Sequence, residues 1–267
     1  MSLLLLKLSN TQAQVPRRPA TPAAPLIIGQ TFTLESAIMG ETRRINVYLP
    51  PAYLDSAQLR LPMLYMPDGG LAEDFLHVAG LVQVSVGNGT MRPFILVGIE
   101  NTQRRRDLTG PTTNAKDLKI AVKVGGSAAY RQFIREELMP QVKQRYRTTA
   151  ETAIVGESLA GLFVVETLLV EPTLFNTYVA FDPSLWWNNG QLAREGNALL
   201  RTPGRPAVAV YLATSSQGEL KATRQLVEAG SSSAARAGAW HYEPMPEETH
   251  ATIYHPAALR AFRAVFE

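Results

Sequence analysis

The sequence predicts an α/β fold: a mostly parallel central sheet with helices on both faces, preceded by an antiparallel hairpin. Three observations carry this reading. First, the apolar runs Leu61 to Met66, Pro93 to Ile99, Ala153 to Val155, Tyr178 to Phe181 and Ala207 to Leu212 alternate little, as strands buried on both faces do. Second, helix-length segments separate them. In the stretch 127–146, Tyr130, Phe133, Ile134, Leu138 and Val142 fall at helical spacing, which reads as one long amphipathic crossover helix. Third, the chain has 267 residues and no internal repeat, which suits one large domain.

At the N-terminus, Leu3 to Leu6 form a short apolar block interrupted by Lys7, and Thr11-Gln12-Ala13-Gln14 resembles the small-residue end of a secretory leader. A frayed helix is the alternative, and the block is too short to span a membrane. Pro16, Pro19, Pro22 and Pro25 make residues 15–25 an extended linker. Residues 1–25 are therefore expected to be a flexible leader-like segment and linker, with the folded domain over 26–267. A leader points to a periplasmic or secreted protein, the cytoplasm being the alternative. Strand-like runs at Thr31 to Leu34 and Arg44 to Leu49, joined at Met39-Gly40, predict the hairpin. Gly125-Gly126-Ser127 is expected to cap the crossover helix, since the lysine of a phosphate-binding loop does not follow. Further helices are expected at Leu220 to Ala229 and His255 to Phe266, and a last strand at Ala239 to Tyr242.

Composition narrows the function. The net charge is only +3, and no basic stripe interleaved with aromatics suggests a nucleic-acid partner. Cysteine is absent, so disulfides, thiolate catalysis and cysteine metal sites are excluded. No metal-ligand spacing or dinucleotide fingerprint is present, and no cofactor is expected.

The most informative segment is Ala153-Ile154-Val155-Gly156-Glu157-Ser158-Leu159-Ala160-Gly161-Leu162-Phe163. An apolar run ends in a serine flanked by small residues and turns into a helical pattern, as in a nucleophile elbow, where strand and helix must pass closely. Ala160 stands where glycine is usual, with Gly161 following. The alternative is a buried strand leading into a core helix that Ser158 caps. A serine nucleophile needs a histidine base and a carboxylate that fixes the histidine tautomer, and on such an elbow the chain order is serine, acid, histidine. Of four histidines, His77 precedes Ser158, His241 lies within a strand and His255 falls at the final helix. His250, on the loop after the last strand, is the candidate base. For the acid, Glu219 is the first carboxylate after the strand Ala207 to Leu212 and is the first choice. Asp182, at the end of the preceding strand, competes, and its alternative role is a turn cap beside Pro183. Oxyanion donors are expected at the Leu159 N–H and, from the Asp68-Gly69-Gly70 turn, at Gly70. One such donor lowers a hydrolytic barrier by roughly 3 kcal/mol in a protease.

Taken in order, Arg44 to Pro51, Tyr65 to Gly70, Val97 to Thr102, Phe133 to Pro140, the Ser158 elbow and Pro183 to Trp187 resemble the esterase D-like family of the α/β-hydrolases, and within it the bacterial siderophore-esterase-like members. The resemblance runs from Leu26 onward. It implies a serine carboxylester hydrolase acting on a small-molecule ester, with Ser158 and His250 on the family's nucleophile and base. The Gly-Glu-Leu stretch resembles related mycolyltransferases, which favours Glu219, whereas some relatives use a serine-histidine dyad alone. This chain departs from many relatives at Glu157, where they carry histidine, and at Asp182, where they carry serine. Among Arg104-Arg105-Arg106, Arg106 is the candidate for attracting an anionic substrate, the alternative being a solvated charge run. Trp186 and Trp187 are candidates to wall the pocket, or to be plain core. Acyl transfer through the same intermediate, or a non-catalytic binding protein on this scaffold, are the other readings. Oligomeric state is left open.

Overall fold

A computed structural model describes residues 23–232 and 240–267. The leader-like block and most of the proline-rich linker lie outside the described residues, as does Ala239. In chain order the elements are β1 (Gln30–Ser36), β2 (Glu41–Tyr48), α1 (Pro51–Asp55), β3 (Leu61–Pro67), α2 (Phe75–Gly87), β4 (Ile95–Ile99), α3 (Arg104–Asp107), α4 (Ser127–Phe133), α5 (Met139–Arg145), β5 (Thr148–Glu157), α6 (Leu159–Val170), β6 (Thr177–Phe181), α7 (Trp187–Leu200), β7 (Ala209–Ser215), α8 (Leu220–Ser232), β8 (Trp240–Met245) and α9 (Tyr254–Val265).

The strands form one eight-stranded sheet in the order β1-β2-β4-β3-β5-β6-β7-β8. β1 and β2 are the expected hairpin, paired from Gln30↔Val47 to Ser36↔Glu41, and Gly40 at φ 66° closes the turn in the left-handed region that glycine adopts without strain. β2 lies antiparallel to β4, and all pairs from β4 to β8 are parallel.

The lack of alternation in the strand sequences has a direct cause. Met63, Tyr65, Ile154, Tyr178, Ala180, Val210 and Leu212 face one buried cluster with α4, α5 and α6. Leu64, Met66, Ala153, Val155, Val179, Phe181, Tyr211 and Ala213 face the other, with α2 and α9. Both faces of each central strand are in a core, so both must be apolar. Helix α6 is buried almost all round, Leu159 to Val165 without a gap, as an unpatterned apolar helix must be.

Two expectations change. The crossover is not one regular helix, because a π-helical turn at Ile134–Leu138 joins α4 to α5. Pro140 stands at the start of α5, where its missing N–H and its ring would break an i→i−4 ladder, and the widened turn absorbs the misfit. Ser127 begins α4 without acting as its cap, since its hydroxyl donates to Glu166 at 2.8 Å. The π turn also carries Glu137, whose carboxylate accepts the Ala37 and Ile38 N–H groups at 2.9 and 3.2 Å and so holds the hairpin turn to the crossover.

Candidate active site

Parallel strands deliver their loops to one edge of the sheet, and the carboxyl ends of β3, β5, β6, β7 and β8 converge there. Ser158 stands between the end of β5 and the start of α6 with φ 60° and ψ −118°, a conformation that costs a non-glycine residue strain unless its surroundings enforce it. Here they do. Its N–H donates to Phe181 O at 3.0 Å, and its carbonyl accepts the Leu162 and Ser184 N–H groups at 2.9 and 3.0 Å. The close passage of strand and helix explains the small residues. A Cβ on Gly156 would lie 2.7 Å from the Ala160 carbonyl carbon and 2.8 Å from its Cβ, and one on Gly161 would lie 3.0 Å from Phe181 O. The gap between positions 156 and 160 holds one methyl, so alanine at 160 is tolerated because 156 is glycine.

His250 Nε2 lies 3.0 Å from Ser158 Oγ, although the two residues are 92 positions apart. The loop after β8 is fixed in part by the His250 N–H donating to Gln217 Oε1 at 3.0 Å. On the other side of the ring, Nδ1 is 3.1 Å from Asp182 Oδ2. Asp182 is 2% exposed, and its carboxylate accepts the Ser215 N–H at 2.6 Å and hydroxyl at 2.5 Å. The expected first-choice acid, Glu219, is exposed and makes no hydrogen bond or ion pair with His250. The reason is topological. β6 is flanked by β5 and β7, so the residue after β6 lies between the serine of one neighbour and Ser215 of the other. Glu219 comes only after the chain has turned outward toward α8. What the Gly218-Glu219 pair contributes is its glycine, since a Cβ on Gly218 would lie 2.1 Å from Asp182 Oδ1.

The Leu159 N–H is the first of α6, where no intrahelical acceptor exists. The other expected donor needs correction. Gly70 N–H donates to Glu73 Oε2 at 2.7 Å, because the tight turn after left-handed Asp68 (φ 56°) brings Glu73 back over its start. The next amide in that turn, Leu71, makes no hydrogen bond among the described residues.

The recognition candidates also separate. Arg106 is held by Glu41 and Asp107, both at 2.6 Å, and these carboxylates also bind fully buried Arg43. Its charge is therefore committed to a structural network. Arg104 grips Asp68 with two bonds of 2.7 Å. Trp187 is buried and donates its indole N–H to Gly110 O at 2.9 Å. It walls a cavity of about 420 Å³ with Leu162, Glu166 and Val170, and neither Ser158 nor His250 lines that cavity. Trp186 is 43% exposed.

Three further side chains complete the site, and no local motif in the sequence assigns them a role: Ser215, which orients Asp182; Gln217, which anchors the histidine loop; and Ser184, whose hydroxyl is 3.5 Å from Ser158 Oγ. Glu157, noted only as a departure, has Oε1 3.3 Å from His250 Nε2. Burial pushes its carboxyl up to about 8, with the Asp74, Asp182 and Asp68 charges adding to the effect and Arg104 opposing it. Chemically, a strained serine, a half-exposed imidazole and a buried carboxylate in line can pass a proton from hydroxyl to ring while the carboxylate steadies the resulting charge.

Known proteins resemble this chain in sequence and in fold. The chain matches the family described as "Putative esterase" over residues 36–254. It is 36% identical over 168 residues to the ferri-bacillibactin esterase BesA of Bacillus subtilis, covering 55% of this chain and 56% of that protein. It is 30% identical over 196 residues to a siderophore triacetylfusarinine C esterase of Aspergillus fumigatus, covering 67% and 63%. The matched segment thus spans somewhat over half the length of these relatives. Among solved structures, an IroE-like serine hydrolase from Shewanella oneidensis superposes with a TM-score of 0.80 at 27% identity, covering 89% of this chain and 80% of that one.

Proposed function

The chain belongs to this esterase family, and from that membership we propose that it is a serine carboxylester hydrolase that works through an acyl-enzyme on Ser158. The observation that carries the reading is the unbroken chain from Ser158 Oγ to His250 Nε2 at 3.0 Å and from Nδ1 to Asp182 at 3.1 Å. With Nδ1–H donating its hydrogen bond to the Asp182 carboxylate, the neutral ring presents the Nε2 lone pair to the serine hydroxyl. As Oγ bonds to the ester carbonyl carbon, its proton passes to Nε2, and the carbonyl π pair moves to oxygen. The Leu159 N–H, with a second amide from the Asp68 to Leu71 turn, stabilises that oxyanion. The pair returns, the ester C–O bond breaks, and the departing alkoxide takes the Nε2 proton. Water repeats the sequence to release the acid and restore the serine.

One named relative is an esterase of ferri-bacillibactin and another of the siderophore triacetylfusarinine C, so siderophore-type esters and other small esters are the substrate class we assign. Two tests apply. A fluorophosphonate probe should label the wild-type protein and fail to label Ser158→Ala, and a panel of aryl esters beside a ferric catecholate trilactone should show turnover. Absence of both labelling and turnover would sink the assignment.

A further inference from the structure

We propose that Glu157 reads the alcohol half of the ester and favours alcohols bearing a cationic substituent near the ester oxygen. This rests on the hydrolase reading above and adds a substrate class to it. The leaving oxygen must come within about 3 Å of His250 Nε2 to receive its proton. Oε1 of Glu157 is 3.3 Å from the same nitrogen. Two atoms that share a neighbour at these distances are at most about 6 Å apart, so Glu157 forms part of the wall where the alcohol departs.

Carboxylates outnumber cations around that wall. The Glu157 side chain is 15% exposed, and its Oε1, itself buried, has no hydrogen-bond donor among the described residues. The charged and titratable groups that face it are Asp68 and Asp74 from the segment after β3, Asp182 after β6, Arg104 on α3, and His250 and Tyr254 from the loop after β8 and the start of α9. The one arginine among them is already gripped by Asp68 through both carboxylate oxygens. A substrate cation would therefore meet a carboxyl that no protein donor satisfies, beside three further carboxylates. Because burial holds Glu157 near 8, it is mostly neutral at pH 7. The preference for a cation should grow as pH rises through that value.

The test uses two esters with one acyl group. One alcohol is a quaternary-ammonium ethanol, whose charge does not change with pH, and the other is its uncharged tert-butyl isostere. The readout is the ratio of their kcat/KM values, so a general loss of activity in a variant cancels. In the wild type the ratio should favour the cation and rise about fivefold between about pH 7 and about pH 9, the effect of one partly screened ion pair. In Glu157→Gln it should lose the rise and most of the preference, and in Glu157→Asp the pH-dependent rise should return in part. The wild-type measurement stands even where a variant fails to fold. A ratio that is flat with pH in the wild type, or the same in wild type and Glu157→Gln, overturns the proposal. If fluorophosphonate still labels Ser158 in that case, only the Glu157 assignment falls. No labelling and no turnover of either ester would remove the hydrolase reading and this proposal with it.

Discussion

Asp182→Asn keeps the shape of the side chain and removes its charge. Oδ1 accepts the Ser215 main-chain N–H at 2.6 Å, a donor that cannot turn, so the asparagine oxygen must take that place. The amide NH₂ then falls at the Oδ2 position, 3.1 Å from His250 Nδ1. Facing a donor, Nδ1 must give up its proton, and the neutral ring carries it on Nε2 instead. That proton points at Ser158 Oγ, and the base has no lone pair to offer. The Ser215 hydroxyl can rotate to accept from the new NH₂, so the fold should survive. The equivalent change in a serine protease lowers kcat about 10⁴-fold, or about 5 kcal/mol of barrier. His250 is 45% exposed and water can support part of the ring, so we expect a loss of about 10³-fold or more. The assay is kcat for an aryl ester beside a thermal melt, with Glu219→Gln as the control. Glu219 is exposed and makes no hydrogen bond or ion pair with the ring, and its variant should stay within about twofold of wild type. Full activity in Asp182→Asn together with a collapse in Glu219→Gln would refute the assignment of the acid.

Three other changes test neighbouring parts of the account. Gly218→Ala places a Cβ 2.1 Å from Asp182 Oδ1, and the displaced carboxylate should lower kcat/KM about 10²-fold while circular dichroism stays unchanged. Gly156→Ala overfills the gap already occupied by the Ala160 methyl and should cost about 1–3 kcal/mol in urea unfolding; the double variant with Ala160→Gly should recover part of it. Glu41 is pulled up by burial but held down to about 2, from 4.5, by hydrogen bonds from Arg106, Thr102 and Arg43. Its folded-state value is depressed, so its contribution is complete above pH 4.5 and is lost as pH falls toward 2. The wild type should thus exceed Glu41→Gln in stability by about 2–3 kcal/mol near neutrality, and in urea titrations the gap should narrow below about pH 4.5 and close only below about pH 2.

Local steric rules made much of this molecule readable from its sequence. The parallel sheet follows from runs such as Tyr178 to Phe181, apolar at every position because each face meets its own core. The elbow was legible because Gly156 and Gly161 answer clashes within a few residues of themselves. The acid was harder. Both Glu219 and Asp182 end up after strands, and the choice depends on β6 lying between β5 and β7, which is a fact of strand order. The expected Gly70 donor failed because Glu73, three residues on, reaches back to its amide. Arg106 looked like a recognition residue, but its role is set by Glu41, 65 positions earlier, and by buried Arg43. Such pairings leave no periodic trace, and only the tertiary fold decides them.

The most direct measurement is the acyl-enzyme itself. The protein is mixed with an activated aryl ester, quenched in acid while the initial burst of phenol is in progress, digested, and mapped by mass spectrometry. One added acyl group is expected on the peptide that carries Ser158, and neither adduct nor burst in Ser158→Ala. An acyl group found on a different side chain, or hydrolysis that persists undiminished in Ser158→Ala, would contradict it.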